Sequence, residues 1–175
     1  MRLWSEERKS GTIELLFTLP ISPFIAILGK FLAAWSFLAI SLFLTFPMVI
    51  TVHYLGNPDA GVILLSYLGS LLMAGSYLAI GSAFSAITRN QVVSFILTAV
   101  FCLGFILIGF SPFIKFCSTF LPQFVLEQLR SLSFIAHFDS IQKGIFDLRD
   151  LVYFISLISC GLYACLVILE EKKSE

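Results

Sequence analysis

Charge is scarce in this chain and is absent from its longest runs. Only 13% of the residues are charged and 58% are hydrophobic, whereas an ordinary soluble domain carries about 25% charged residues. Four stretches, residues 31–52, 61–87, 92–110 and 151–169, contain no Asp, Glu, His, Lys or Arg. Each is long enough, as a helix, to cross a hydrocarbon layer of about 30 Å. The sequence therefore predicts an all-α, polytopic transmembrane helix bundle with four spans.

The lack of ionisable groups in these runs also argues against several classes of function. Carriers driven by protons or ions usually hold such groups at membrane depth, and a membrane-embedded enzyme needs a nucleophile with a base, or a metal. No Gly-x-x-x-x-Gly-Lys-Ser/Thr loop is present, so we do not expect the chain to bind ATP. With 11 basic and 11 acidic residues, no nucleic-acid partner is indicated. We predict neither an enzyme nor a cofactor.

Metal ligands are equally sparse. The four cysteines form no zinc-like cluster and are interpreted as small hydrophobic residues. His53, His137 and Asp59 could be imagined as an external metal site, but two histidines on separate elements are more often structural. We therefore predict no metal site.

Dense charge combines with an amphipathic pattern beside a hydrophobic span only near the start of the chain, in residues 1–22, where residues 5–20 read SEERKSGTIELLFTLP. Thr12 can cap a short helix, which places Glu14 in the first turn, where the helix dipole favours an acid. Pro20 ends that helix, because proline lacks a backbone N–H and disfavours a helical residue before it. Apolar residues between them recur at spacings of three and four. This pattern predicts a short amphipathic helix on the cytoplasmic surface of the membrane.

Residues 23–175 are predicted to form the membrane domain, with spans at about 23–53, 61–87, 92–111 and 151–169. The distribution of Lys and Arg favours both termini on the cytoplasmic side. The remaining external segment, 112–150, is predicted to be amphipathic, and it either lies on the surface or forms part of a re-entrant hairpin. Within it, residues 123–138 favour an amphipathic helix and residues 139–142 resemble a capping box, a helix-start signal.

Two features of the predicted spans concern packing. Pro47 should kink the first span in its outer part. Small residues recur every four positions in the second span, at Gly75, Ala79 and Ala83. Such a stripe lets another helix approach closely, and we predict close helix packing there rather than a pore lining.

Two motifs carry a family resemblance. The first resembles the cytoplasmic coupling segment of type-2 ATP-binding-cassette (ABC) exporter permeases, and it consists of Glu6-Glu7-Arg8, Gly11-Thr12, Glu14-Leu15-Leu16, Pro20 and Gly29-Lys30-Phe31. The second is similar to a subgroup that contains gliding-motility and copper-accessory permeases, and it consists of His137-Phe138, Gly144, Asp147, Arg149-Asp150 and Tyr153-Phe154.

The resemblance implies a membrane-spanning permease subunit of an ATP-driven exporter, which forms the translocation pathway and does not itself hydrolyse ATP. It implies three partners: a separate ABC ATP-binding subunit, a second permease copy in a homo- or heterodimer, and the lipid bilayer. The implied location is the cell (inner) membrane, as a multi-pass protein. The residues implied in coupling to the ATPase are Glu6, Glu7, Arg8, Gly11, Thr12, Glu14 and Pro20.

Permeases of this family usually carry two further spans ahead of the coupling segment, so the resemblance implies that this chain lacks the first two. An alternative function is a non-transporting membrane scaffold, or a truncated permease, whose charged segment recruits a cytoplasmic partner. The cargo stays open among lipids, drugs, peptides and metal complexes.

Overall fold

The computed structural model of the protein describes residues 4–12, 22–117, 124–125, 128, 131–144 and 147–171, and these residues form helices and no strands. Four candidate spans are long and apolar enough to cross a membrane: α2 together with α3, then α4, α5 and α8. This confirms the predicted all-α polytopic bundle. The helices in chain order are α1 (Ser5–Ser10), α2 (Pro23–Phe43), α3 (Phe46–Leu55), α4 (Ala60–Ile87), α5 (Gln91–Ile108), α6 (Ser111–Cys117), α7 (Phe134–Gln142) and α8 (Leu148–Glu171).

The first candidate span is broken between α2 and α3. Pro47 is the second residue of α3, and a proline at that place can neither donate a backbone hydrogen bond nor fit against the preceding turn. The predicted kink is therefore a full interruption. At the break, the Thr45 hydroxyl donates to the Leu42 carbonyl at 2.6 Å and lies 2.8 Å from the Tyr67 hydroxyl of α4. These contacts tie the interruption to its neighbouring helix.

Helix α4 is the centre of the bundle, and it packs against α2, α5, α7 and α8. Side-chain caps define the turns on either side of it. The Asp59 carboxylate accepts the Gly61 N–H at 2.9 Å, and the Asn90 side chain accepts the Val92 N–H at 3.0 Å. Such caps satisfy amide groups that have no partner inside a helix. They fix where α4 and α5 begin.

Helices α4 and α8 run parallel and in close contact. A Cβ added at Gly161 of α8 would lie 2.9 Å from the carbonyl carbon of Ala79 and 3.0 Å from its Cβ. Ala79 has no exposed surface. One turn earlier, a Cβ at Gly75 would lie 3.1 Å from Ile158 Cδ1 and 3.0 Å from Trp35 Nε1 of α2. The contacting residues therefore follow the same order along both helices, as a parallel pair requires.

The third residue of the predicted stripe, Ala83, is partly buried and packs beside a cluster that contains Ile27 of α2 and Leu169 of α8. The stripe thus faces α8 and α2 along its whole length. Small residues at such a seam allow close approach of the helices, because no long side chain keeps the backbones apart.

Helix α7 lies along α4 in the opposite direction. Its Ile141 side chain would be 2.9 Å from a Cβ added at Gly69, and its fully buried Phe134 ring lies 4.9 Å from the Tyr77 ring. Tyr77 is roughly 25 Å from Ala60 along α4, at about 1.5 Å per residue. Helix α7 therefore lies alongside α4 between about Gly69 and Tyr77 instead of crossing its end.

The predicted helix start at residues 139–142 is wrong. Helix α7 begins after Ser133, whose hydroxyl accepts the Ile135 N–H at 3.2 Å, so Asp139 lies inside the helix. Ser133 is an equally good capping residue, and burial of Phe134 beside Tyr77 favours the earlier start. Five positions of the amphipathic helix predicted over 123–138 lie outside the described residues; in the described part, Leu132 and Ser133 are not helical, so the predicted helix is not continuous.

Candidate functional site

The N-terminal segment, defined here as residues 4–10, is capped by another helix. The backbone N–H groups of Trp4 and Ser5 donate to the Ser85 hydroxyl of α4, at 3.1 and 3.0 Å. The first amides of a helix have no acceptor within it, and Trp4, at the N-cap position, supplies no side-chain cap. Ser85 therefore both satisfies these amides and fixes the start of α1 on α4.

Arg8, in the second half of α1, also binds the end of α4. Its Nη1 donates to the carbonyls of Ala86 and Ile87, at 2.5 and 2.7 Å. These carbonyls belong to the last turn of α4, where they have no partner inside the helix, and the helix dipole favours a cation there. The guanidinium group thus caps the C-terminal end of α4 from outside.

The N-terminal segment also contacts the other candidate spans. The Lys30 ammonium of α2 pairs with Glu7 and lies 3.9 Å from the centroid of the Trp4 ring, in cation–π geometry. Trp4 is 1% exposed and packs in one cluster with Ile27 of α2 and Leu169 of α8. Helix α1 contacts α5 as well as α4. One short segment therefore contacts all four candidate spans at a single end of the bundle.

The predicted coupling residues fall into two groups. Glu6, Gly11 and Thr12 are exposed, and Gly11 ends α1 in the left-handed conformation, with a φ of 74°, which glycine adopts without strain. Lys9 is exposed beside them, although the sequence motif did not single it out. This side of the segment is therefore the solvent-exposed one.

Glu7 and Arg8 instead face the bundle, where they have the partners described above. Both are half-buried. Their geometry suits holding the segment in place better than making a first contact with another protein. Glu14 and Pro20, the remaining predicted coupling residues, lie outside the described residues.

A second polar cluster lies on α7 and α8, away from the N-terminal segment. His137 Nδ1 is 2.6 Å from Asp150 Oδ1, and His137 Nε2 is 2.8 Å from the Ser131 carbonyl oxygen. The two residues are 8% and 5% exposed. The Tyr153 ring stacks on the imidazole, with 4.0 Å between ring centroids. The cluster joins α7 to the start of the last candidate span.

Sequence reasoning placed His137 and Asp150 in one motif but did not pair them, because thirteen positions separate them and part of the intervening chain had no clear pattern. Within the described ranges, no group of three or more His, Cys, Asp or Glu side chains could hold a metal ion. There, His137 pairs with Asp150, while His53 lies on α3 beside an apolar groove of α4.

Four apolar helices of membrane-spanning length define a polytopic membrane protein. The chain belongs to the ABC-2 family: a family model described as ABC-2 family transporter protein matches residues 1–169. Comparisons with curated proteins and with solved structures give no significant match. The resemblance to ABC permeases is thus confirmed at the level of the family, whose members are membrane components of transporters and generally work with an ATP-binding subunit. The narrower resemblance to gliding-motility and copper-accessory permeases stays a prediction.

Proposed function

We propose that the chain is the permease subunit of an ATP-driven exporter in the cell (inner) membrane, and that its N-terminal segment receives force from a separate ATPase. The observation that carries this proposal is the contact of residues 4–10 with all four candidate spans. A charged surface element that merely solvates the membrane face needs no such anchoring. An element that must move several helices together does.

The contacts suggest how the force is distributed. Two prolines, Pro20 and Pro23, restrict the backbone between the charged segment and the first span. From the sequence alone, motion would pass through this stiff elbow into the first span. Ser85 and Arg8 add a direct attachment to the end of α4, and Trp4 adds one to α8 through Leu169. A push on the exposed side of α1 would therefore reach the two parallel helices without passing through the elbow.

In an exporter of this class, the pathway would lie between two permease copies, each with its own N-terminal segment on an ATPase. The residues that touch the ATPase would then include Glu6, which is exposed, and Glu14, which the motif alone assigns. Glu7 and Arg8 hold the segment to the membrane helices. This division of roles separates docking from positioning, and substitutions can test the two independently.

The docking test reverses two charges together, in Glu6→Lys with Glu14→Lys. Exposed charges contribute up to about 1 kcal/mol each, so the double reversal should weaken ATPase binding by up to about thirtyfold, at about 1.4 kcal/mol per factor of ten. The measurement is co-purification and titration of the partner ATPase, with the wild type and the double variant each in lipid nanodiscs. Membrane insertion should be unchanged.

A matched control carries the same charge change elsewhere on the same end of the bundle. Glu170 and Glu171 are exposed at the end of α8, and their double reversal should leave ATPase binding near the wild-type level. Equal affinity of the Glu6/Glu14 variant and the wild type would assign docking to another surface. Normal ATPase binding by the wild type without ATP-dependent export in any cargo assay would favour the scaffold function.

A further inference from the structure

The His137–Asp150 pair is unusual in that both imidazole nitrogens face hydrogen-bond acceptors. Nε2 lies 2.8 Å from the Ser131 carbonyl oxygen, which can only accept, so Nε2 must carry a hydrogen. Nδ1 lies 2.6 Å from a carboxyl oxygen of Asp150. A hydrogen is needed on that line too, and it belongs either to the imidazolium or to the carboxylic acid.

An imidazolium beside a carboxylate and a neutral imidazole beside a carboxylic acid hold the same number of protons. Each holds one proton more than a neutral histidine beside a carboxylate. Without that proton, a lone pair of the imidazole would face an acceptor oxygen, either on Asp150 or on Ser131. One of the two contacts would become repulsive. The geometry therefore requires a shared proton for both contacts to exist together.

The surroundings make the shared proton important. Asp150 Oδ2 is buried and has no hydrogen-bond partner in the described part of the chain, and His137 is the basic group that pairs with this carboxyl there. The pair adjoins an apolar cluster that includes Phe134, Ile141 and Phe154. A bare carboxylate in such a place is costly unless a cation or a proton neutralises it.

We propose that His137 and Asp150 form a buried proton-binding site that holds helix α7 to α8, and that loss of the proton releases α7. Loss of the proton would break the contact of His137 either with the turn at residues 131–133, which precedes α7, or with Asp150 in the first turn of α8. The site is separate from the proposed coupling segment, since it lies on α7 and the first turn of α8, beside the middle of α4, whereas residues 4–10 contact the C-terminal end of α4.

The other titratable groups around the pair do not supply an alternative switch near neutral pH. Tyr153 of α8 stacks on the imidazole and donates to the Leu132 carbonyl at 2.5 Å. Tyr77 of α4 and Cys102 of α5 belong to the same cluster. Phenol and thiol groups of this kind are uncharged near pH 7. The charged side chains of α7 itself, such as Asp139, are exposed.

The experiment measures hydrogen–deuterium exchange of residues 134–142 in the full chain, in lipid nanodiscs, between about pH 5.5 and 9.5. Protection factors are corrected for the intrinsic pH dependence of exchange. We expect protection of α7 to fall as pH rises, by at most about tenfold per pH unit, as release of one proton requires. Protection that stays constant across this range would overturn the proposal.

Two kinds of variant sharpen the result. In Asp150→Asn, the amide can donate to His137 Nδ1 while Nε2 still donates to Ser131, so α7 should stay protected with no pH dependence. Asp139→Asn removes an exposed carboxyl from the same helix, and His53→Gln removes the other histidine; both should keep the wild-type pH dependence. A pH dependence that survives in Asp150→Asn, or disappears in Asp139→Asn, would assign the switch to other groups. Should Asp150→Asn fail to fold, the wild-type titration and the two controls still decide.

Discussion

The close contact between α4 and α8 makes Gly161 the most informative single position in the fold. In Gly161→Ala, the new methyl group would lie 2.9 Å from the Ala79 carbonyl carbon and 3.1 Å from its carbonyl oxygen. Both are backbone atoms, so they cannot turn aside as the end of a long side chain could. The two helices must separate by some tenths of an ångström along their shared seam, or the methyl group cannot be accommodated.

Two opposing terms set the size of the effect. Overpacking of a well-packed interior costs about 1–3 kcal/mol, whereas replacing glycine with alanine inside a helix gains up to about 1 kcal/mol in propensity. Gly104→Ala in α5 isolates the second term, because a Cβ there would meet nothing within 4 Å. The difference between the two variants is therefore the steric term alone, about 1–3 kcal/mol.

The assay is thermal unfolding of the two purified variants and the wild type under one set of lipid conditions. At about 2–4 °C per kcal/mol for a chain of this size, Gly161→Ala should melt roughly 2–12 °C below Gly104→Ala. Adding Ala79→Gly should restore only part of the loss, because the backbone of residue 79 remains in the way. Equal melting temperatures for the two alanine variants would mean that the seam is looser than the described geometry.

Two further predictions concern topology and the N-terminal segment. A cysteine introduced at Gln128 should react with a membrane-impermeant reagent from outside, and one at Asn90 should not; the reverse pattern would invert the predicted orientation. Arg8→Ala removes two hydrogen bonds to the end of α4, and hydrogen bonds to charged groups contribute about 1.5–3 kcal/mol each when buried. Since Arg8 is only half-buried, amide protection in residues 4–10 should fall about tenfold, or about 1.4 kcal/mol. The neighbouring exposed Lys9→Ala is the control, and equal protection in both variants would contradict the capping role.

The helices were predictable because the physics that forms them is local. A run without charge, such as residues 61–87, must be helical in hydrocarbon, since only a helix satisfies its backbone groups there. The break before Pro47 follows from the proline ring. The start of α7 was not predictable, because Ser133 and Asp139 both offer capping chemistry and only burial of Phe134 in the folded bundle decides between them.

The candidate sites were harder to predict because their contacts join distant parts of the chain. The motif around Glu6 and Arg8 marked the segment, yet nothing local indicates that Arg8 caps a helix that ends at Ile87. Likewise, His137 and Asp150 look like ordinary interfacial residues until α7 folds back along α4. Long-range pairs of this kind depend on the packing of whole helices and leave no periodic signal in the sequence.

The two polar clusters contact the same packed pair of helices, α4 and α8, at different levels, which suggests that they communicate. Ser85 and Leu169 hold the N-terminal segment at one end of α4 and α8, while Ile141 and His137 hold α7 nearer the other. Close-packed interiors transmit displacement with little compression, and the Gly161 seam leaves no slack between the helices. If the ends are coupled, Arg8→Ala should lower protection of α7 as well as of α1. Loosening of α1 with α7 unchanged would show that the two ends move independently.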